Sequence, residues 1–327
     1  PFKVPSWGRE ITVGFAGPAA AHDVLWVLAE GAEQPLRVPL LGPDAGRGCP
    51  LIQPPPSPGG VHPLDVLTLD GAAWAAVDGA GAPLAGWRWT ILDRPPGSTA
   101  HVVERIADAA WPQRGGPADD PATPGAAVFL DLAGRYRLGL TVTDAQGAEA
   151  PGPTCPAGPG WVVDAVPDAA LHVQLVWHTP GDPDEADIDG SDLDLHLRRA
   201  GGQWGGEGDC FYAQRAAAWP PAGAVGDATL DIDDVDGQGP ENINVLAPDA
   251  AGAPYEVGVH AFRLYADPVG RVQPTEATVR IFLDGVEAAA WRRTLTDHEQ
   301  FWTVARVEVA DEGARVVAVD ALDPAPP

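Results

Sequence analysis

The sequence predicts an all-β protein built from tandem immunoglobulin-like or jelly-roll-like sandwiches, on three observations. First, 39 glycines and 36 prolines among 327 residues interrupt the chain too often for long helices. Second, apolar and polar residues alternate with period two in short segments such as "RYRLGLTVTD" and "SDLDLHLRR". Third, helical periodicity is confined to one short stretch, "VVERIADAA" at 102–110. A hydrophobic content of 45% is that of a globular protein, and the length allows two or three cores.

Taken in order, residues 1–60 read as a small β-rich region: "HDVLWVLAEG" and "QPLRVPLL" suit a hairpin, and "GPDAGRGCPLIQPPPSPGG" suits a stiff linker. Residues 61–167 form the second unit. "DVLTLDG" is a strand ending in a turn, and "AGWRWTILDRPPGS" places Trp87, Trp89 and Ile91 on one face. "AAVFLDLAGRYRLGLTVTDAQG" gives two strands around Gly134, with Tyr136, Leu138, Leu140 and Val142 pointing inward, and "WVVDAV" closes the unit. Residues 168–310 read as an acidic sandwich of roughly eight strands. In it "LHVQLVWH", "SDLDLHLRR", "YEVGVHAF", "EATVRIFLDG" and "FWTVARVEV" are strands. Residues 311–327 read as a tail.

Two resemblances follow from these motifs. "LDG" at 69–71, "GWRWTILDRPPGS" at 86–98 and "AGRYRLGLTVTD" at 133–144 resemble the PKD-type immunoglobulin-like domain. That resemblance implies a spacer or adhesion unit in which Tyr136 pins a corner and Trp87 or Trp89 plugs the core. "LHVQLVWHTPGDPDEAD", "GSDLDLHL", "GDCFYA", "LDIDDVDGQGPENINV" and "YEVGVHAF" resemble a C-terminal β-sandwich module of secreted or lipid-anchored proteins from GC-rich Gram-negative bacteria. It implies export and no particular chemistry.

Composition narrows the partners. A net charge of −26 opposes binding to nucleic-acid phosphates and to anionic membranes. No apolar run is long enough for a transmembrane helix. Lys3 is the single lysine against 19 arginines, a bias that a GC-rich genome explains, and the absence of Met even at position 1 suits a processed chain. Together with the second resemblance, this predicts an exported protein, outside the cell or on its surface, free or lipid-anchored. Its partner there would be an unidentified extracellular protein or polysaccharide. For an exported chain, Cys155–Cys210 is the favoured bridge among Cys49, Cys155 and Cys210.

The chemistry concentrates in two acidic windows without a basic residue: seven acids in 182–194 and six in 227–241. Period two sets Asp192 and Asp194 opposite the leucines, and Asp231 and Asp233 opposite Leu230 and Ile232. Were these strands neighbours, four carboxylates would share a face and repel unless a cation lay between them. Clustered hard oxygens suit calcium. The candidate ligands are Asp192, Asp194, Asp231, Asp233, Asp234, Asp236, Glu241 and Asn242, with Gly237 and Gly239 turning the backbone. The competing explanation is a solvated acidic surface, since neither window fits an EF-hand.

His172, His178, His196 and His260 lie on strands and could instead hold a transition metal beside Asp194, although strand histidines are usually structural. No phosphate loop, GxGxxG turn or GxSxG elbow occurs. The expectation is a non-catalytic, structural or adhesive protein with a calcium-stabilised C-terminal sandwich. The alternatives are a carbohydrate-binding module, with Trp204, Phe211 and Trp219 as its platform, and a metal-dependent hydrolase.

Overall fold

A computed structural model describes residues 24–27, 36–39, 51–52, 54–55, 57–76, 84–104, 123–145, 147, 149–150, 160–185, 187–219, 226–235, 237–249 and 252–324. Apart from one helical turn, its regular structure is β, as expected. β1 (Val24–Val27) and β2 (Leu36–Pro39) form the anticipated antiparallel hairpin.

The middle unit is a two-layer sandwich. Its strands are β3 (Leu51–Ile52), β4 (Val66–Asp70), β5 (Ala75–Ala76), β6 (Leu84–Asp93), β7 (Val102–Val103), β8 (Gly125–Phe129), β9 (Gly134–Asp144), β10 (Glu149–Ala150) and β11 (Trp161–Ala165). One sheet runs β4–β8–β7. The other is centred on β9, with β6 along one edge and β10 and β11 along the other. The helical turn, α1 (Gly71–Trp74), starts where the Asp70 carboxylate accepts from the Ala72 and Ala73 amides. It delivers Trp74 edge-on to Trp89 and Trp161, both at 4.8 Å. Of the stretch proposed as helical, Val102 and Val103 are strand, and 105–110 lie outside the described residues.

Tyr136 closes the corner. Its hydroxyl lies 2.9 Å from both Leu132 O and Asp131 Oδ1 and accepts from Leu132 N at 2.8 Å. Asp131, buried beneath it, also accepts from Ser98 Oγ at 2.6 Å and from Thr99 N at 2.6 Å. The carboxylate is thereby satisfied without water.

Among the described residues, eleven strands, rather than about eight, make up the C-terminal sandwich. They are β12 (Leu171–His178), β13 (Asp192–Arg199), β14 (Asp209–Cys210), β15 (Ala216–Ala217), β16 (Ala228–Ile232), β17 (Glu241–Val245), β18 (Tyr255–Arg263), β19 (Thr275–Leu283), β20 (Val286–Leu295), β21 (Phe301–Ala310) and β22 (Gly313–Asp323). Six stack as β15–β16–β17–β12–β19–β20, and five as β14–β13–β18–β21–β22. Leu171, Val173, Leu175 and Trp177 of β12 meet Leu193, Leu195 and Leu197 of β13 in the core between the sheets.

The supposed tail is therefore mostly β22, paired along its length with β21. Its side chains are mostly exposed, so no buried face marks it in the sequence; besides backbone pairing, Asp320 Oδ1 accepts from Trp302 Nε1 at 2.9 Å and Arg315 pairs with Glu308. Cys210 is a free, buried thiol donating weakly to Arg215 O, so the bridge to Cys155 is not made; Cys155 lies outside the described residues, as does Cys49.

The two sandwiches touch through Arg280 of β19. Its guanidinium donates to Ala133 O at 2.7 Å and to Gln174 Oε1 at 3.2 Å while pairing with Glu287.

Tyr136→Phe removes the hydroxyl that partners Leu132 and Asp131, leaving buried polar groups unsatisfied. It is expected to cost ~1–3 kcal/mol. In calorimetry the loss should lower the midpoint of the middle unit's transition and leave that of the C-terminal sandwich in place.

Candidate metal centre

Strand β13 alternates as its sequence requires. Leu193, Leu195 and Leu197 fill the core, so Asp192, Asp194 and His196 point to the outer face. That face is nevertheless buried: Asp194 is 4% exposed and His196 5%. The loop after β13 folds back over it. Phe211 stacks on the His196 ring at 4.9 Å, and Trp204 stands edge-on to it at 5.9 Å. The Arg198 guanidinium lies 3.7 Å from the Trp204 ring centre and holds that ring in place. Opposite His196 on β18 is Gly258, where a Cβ would come within 2.5 Å of the Phe301 ring. Only glycine leaves space there for Phe301 to complete the aromatic cover.

Two further elements enter this pocket. On β18, His260 is the direct partner of Asp194, and their side chains meet with Nδ1 and Oδ2 3.3 Å apart, an ion-pair separation without hydrogen-bond alignment. From the other sheet come Asp233, just past β16, and Glu241, which opens β17. They reach β13 because β14 pairs only with Leu197 and Arg198, leaving the first half of that edge of β13 open. There the Leu195 amide donates to Glu241 Oε2 at 2.5 Å.

Asp194, Asp233 and Glu241 each bring one carboxylate oxygen within 4.8 Å of the other two, and Asp194, His196 and His260 do the same with their ligand atoms. Asp194 belongs to both sets. Asp194 Oδ2, Asp233 Oδ1, Glu241 Oε1 and His196 Nε2 are buried without a hydrogen-bond partner.

Such a pocket does not hold its charge unaided. At an effective dielectric constant near 20, two carboxylates about 4.8 Å apart repel by ~3–4 kcal/mol. One charge-assisted hydrogen bond returns only ~1.5–3 kcal/mol. Glu241 responds accordingly: burial, and then the charge of Asp194, push its carboxyl well above the usual range. Asp192 is pushed up to about 7 by burial and by Asp194, against the opposing pull of Arg263. For His260, burial disfavours the imidazolium, yet the adjoining carboxylates of Asp194 and Glu299 prevail and raise it.

The structure thus brings together Asp194, Asp233 and Glu241 of the expected ligands, but not in the expected way. β13 and β16 are not neighbours in one sheet; they lie in opposite sheets and meet around an open edge. Asp231 is excluded from the pocket. It is exposed on the other face of β16, accepting from Asn244 Nδ2. Asp234 is spent on the loop, where its Oδ2 accepts from Gly239 N at 3.1 Å. Asn242 Oδ1 accepts from Gln174 Nε2 on β12 at 3.1 Å. Asp192 lies near Asp194 with Oδ1 unpartnered, and Asp236 lies outside the described residues.

Among the histidines, His172 is structural. It bonds Asn244 Oδ1 at 2.6 Å, and burial lowers it to about 4. His178 pairs with Glu185. Trp204 and Trp219 are each 5% exposed, so they form no sugar platform. Two carboxylates were not foreseen, Asp209 and Glu299. Asp209 adjoins "CFYA", but Glu299 lies 39 positions from the histidine it touches and carries no sequence signal.

Glu241 and Asp192 hold protons more tightly folded than unfolded. In the metal-free chain their contribution is therefore complete below the ordinary carboxylate range and lost as pH rises through each raised value, about 7 for Asp192. The midpoint of the C-terminal sandwich in chelator is expected to fall by several degrees between about pH 5 and about pH 8. Glu241→Gln should flatten that fall, which thermal melts at a series of pH values would read. No family model matches the chain, and neither a curated protein nor a solved structure resembles it significantly.

Proposed function

We propose that this chain is a non-catalytic, exported cell-surface protein, structural or adhesive in role, whose C-terminal sandwich is clamped by calcium. The carrying observation is the meeting of Asp194 and Glu241, buried carboxylates from opposite sheets, with the half-buried Asp233; each has an oxygen that no donor satisfies, and the nearest cation to Asp233 is Arg215 at 4.0 Å. A divalent ion there would replace repulsion with attraction and tie the β16–β17 turn to the open edge of β13. Calcium fits a set of oxygens with irregular placement, since it accepts six to eight ligands and fills the remainder with water. Outside a cell it is abundant enough for a weak site to be filled. The middle sandwich, with its PKD-like motifs, serves in this reading as a spacer. The anionic surface then faces an extracellular protein or polysaccharide rather than a nucleic acid.

A ligand that binds only the folded form stabilises it by mass action, roughly 2.7 kcal/mol at a hundredfold excess over Kd. Calcium added to the chelated protein near neutral pH is thus expected to raise the melting midpoint of the C-terminal sandwich by several degrees. Asp233→Asn and Glu241→Gln should abolish the rise. Asp231→Asn should retain it, because that carboxylate stands outside the pocket. An unchanged wild-type midpoint would remove calcium from the reading.

A further inference from the structure

We propose that Asp194, His196 and His260 form a separate, nitrogen-rich subsite for a divalent transition-metal ion of the zinc class, next to the carboxylate set and sharing Asp194 with it. Three observations carry this.

The first is the way each histidine is held. His196 Nδ1 lies 2.7 Å from Asp209 Oδ2, and that oxygen is fixed in turn by the Gly205 amide at 2.7 Å. His260 Nε2 lies 3.3 Å from Glu299 Oε2. Each imidazole therefore has an acid behind one nitrogen. The acid keeps the proton on its own side, leaving the lone pair of the other nitrogen for the pocket. A carboxylate behind a ligating imidazole orients the ring and raises its basicity.

The second is His196 Nε2, which is buried and has no hydrogen-bond partner. An imidazolium at His260 bridging Asp194 and Glu299 would explain that residue by itself. It leaves the inward nitrogen of His196 unexplained, as a buried polar atom with nothing to bind. The ligand atoms of Asp194, His196 and His260 lie within 4.8 Å of one another, close enough to converge on one small ion. Imidazole with one carboxylate suits zinc, copper or nickel, whereas calcium prefers oxygen throughout.

The third is the investment in the surroundings. Phe211, Trp204 and Phe301 enclose His196 on three sides, with ring centres 4.9, 5.9 and 5.3 Å away, and keep water from competing. Glu299 reaches His260 from a backbone with φ of 64°, a left-handed conformation that costs a non-glycine residue about 1–2 kcal/mol.

The test uses the full chain freed of metal by chelation and titrated with Co²⁺, which reports ligand geometry through its visible absorption. Saturation at one equivalent is expected, with the bands of a low-coordinate nitrogen and oxygen site that Zn²⁺ then displaces. His196→Ala and His260→Ala should each remove the bands. Asp209→Asn, which alters only the acid behind His196, should weaken Co²⁺ binding about 10- to 100-fold while the bands keep their positions. Far-UV circular dichroism checks each variant; if His196→Ala fails to fold, His260→Ala decides, since its ring lies nearer the surface. Wild-type protein without Co²⁺ bands, or bands that survive in a folded His260→Ala, overturns the proposal. Calcium melts of the same preparation separate the two readings. A calcium shift without Co²⁺ bands sinks only this subsite, and Co²⁺ bands without a calcium shift sink only the calcium clamp.

Discussion

One constraint organises the C-terminal sandwich: the carboxylates of Asp194 and Glu241, shut away from water, meet that of the half-buried Asp233. A lone buried acid would shed its charge by taking up a proton. Three acids around one point, each with an oxygen lacking a donor, repel one another unless protons or a shared cation intervene. The surrounding architecture shapes that space. The short β14 leaves part of the β13 edge unpaired, Gly258 yields room for Phe301, and Arg198 keeps Trp204 in place. None of these features improves the hydrocarbon core, which lies on the other face of β13.

Position in the fold explains why such a site can exist at all. The interior between two sheets tolerates few polar groups, and an exposed face would leave the acids fully hydrated and indifferent to one another. The outer face of β13 is intermediate: it is formed by a rigid strand and covered by a loop. Alternation therefore supplies Asp194 and His196 at a fixed spacing, and the cover supplies dryness. The opposing sheet contributes Glu241 through the only route open to it, around the edge, where the Leu195 amide receives it.

Much of this was legible in the sequence. The leucines of "SDLDLHL" declare both faces of β13, and "RYRLGLTVTD" declares β9 together with the corner tyrosine. Period two assigns a side chain to a face but is silent about which strands become neighbours. That is why Asp231 looked equivalent to Asp233, although one β-bulge between Leu230 and Ile232 separates their fates. Burial of the face was likewise invisible, because it depends on Trp204 and Phe211 folding back from a loop of turn-forming residues. β22 is illegible for the opposite reason: its side chains are mostly exposed, so no apolar rhythm betrays it.

The placement of β12 has a mechanical consequence. This strand receives the chain from the middle unit, yet it sits inside the six-stranded sheet with β17 and β19 on its two sides. A pull along the polypeptide would load β12 in shear, so that many ladder bonds resist together. At the far terminus β22 occupies an outer edge and can peel away bond by bond. Traction on a tethered molecule would thus strip the C-terminal strand first and reach the strand next to Glu241 last.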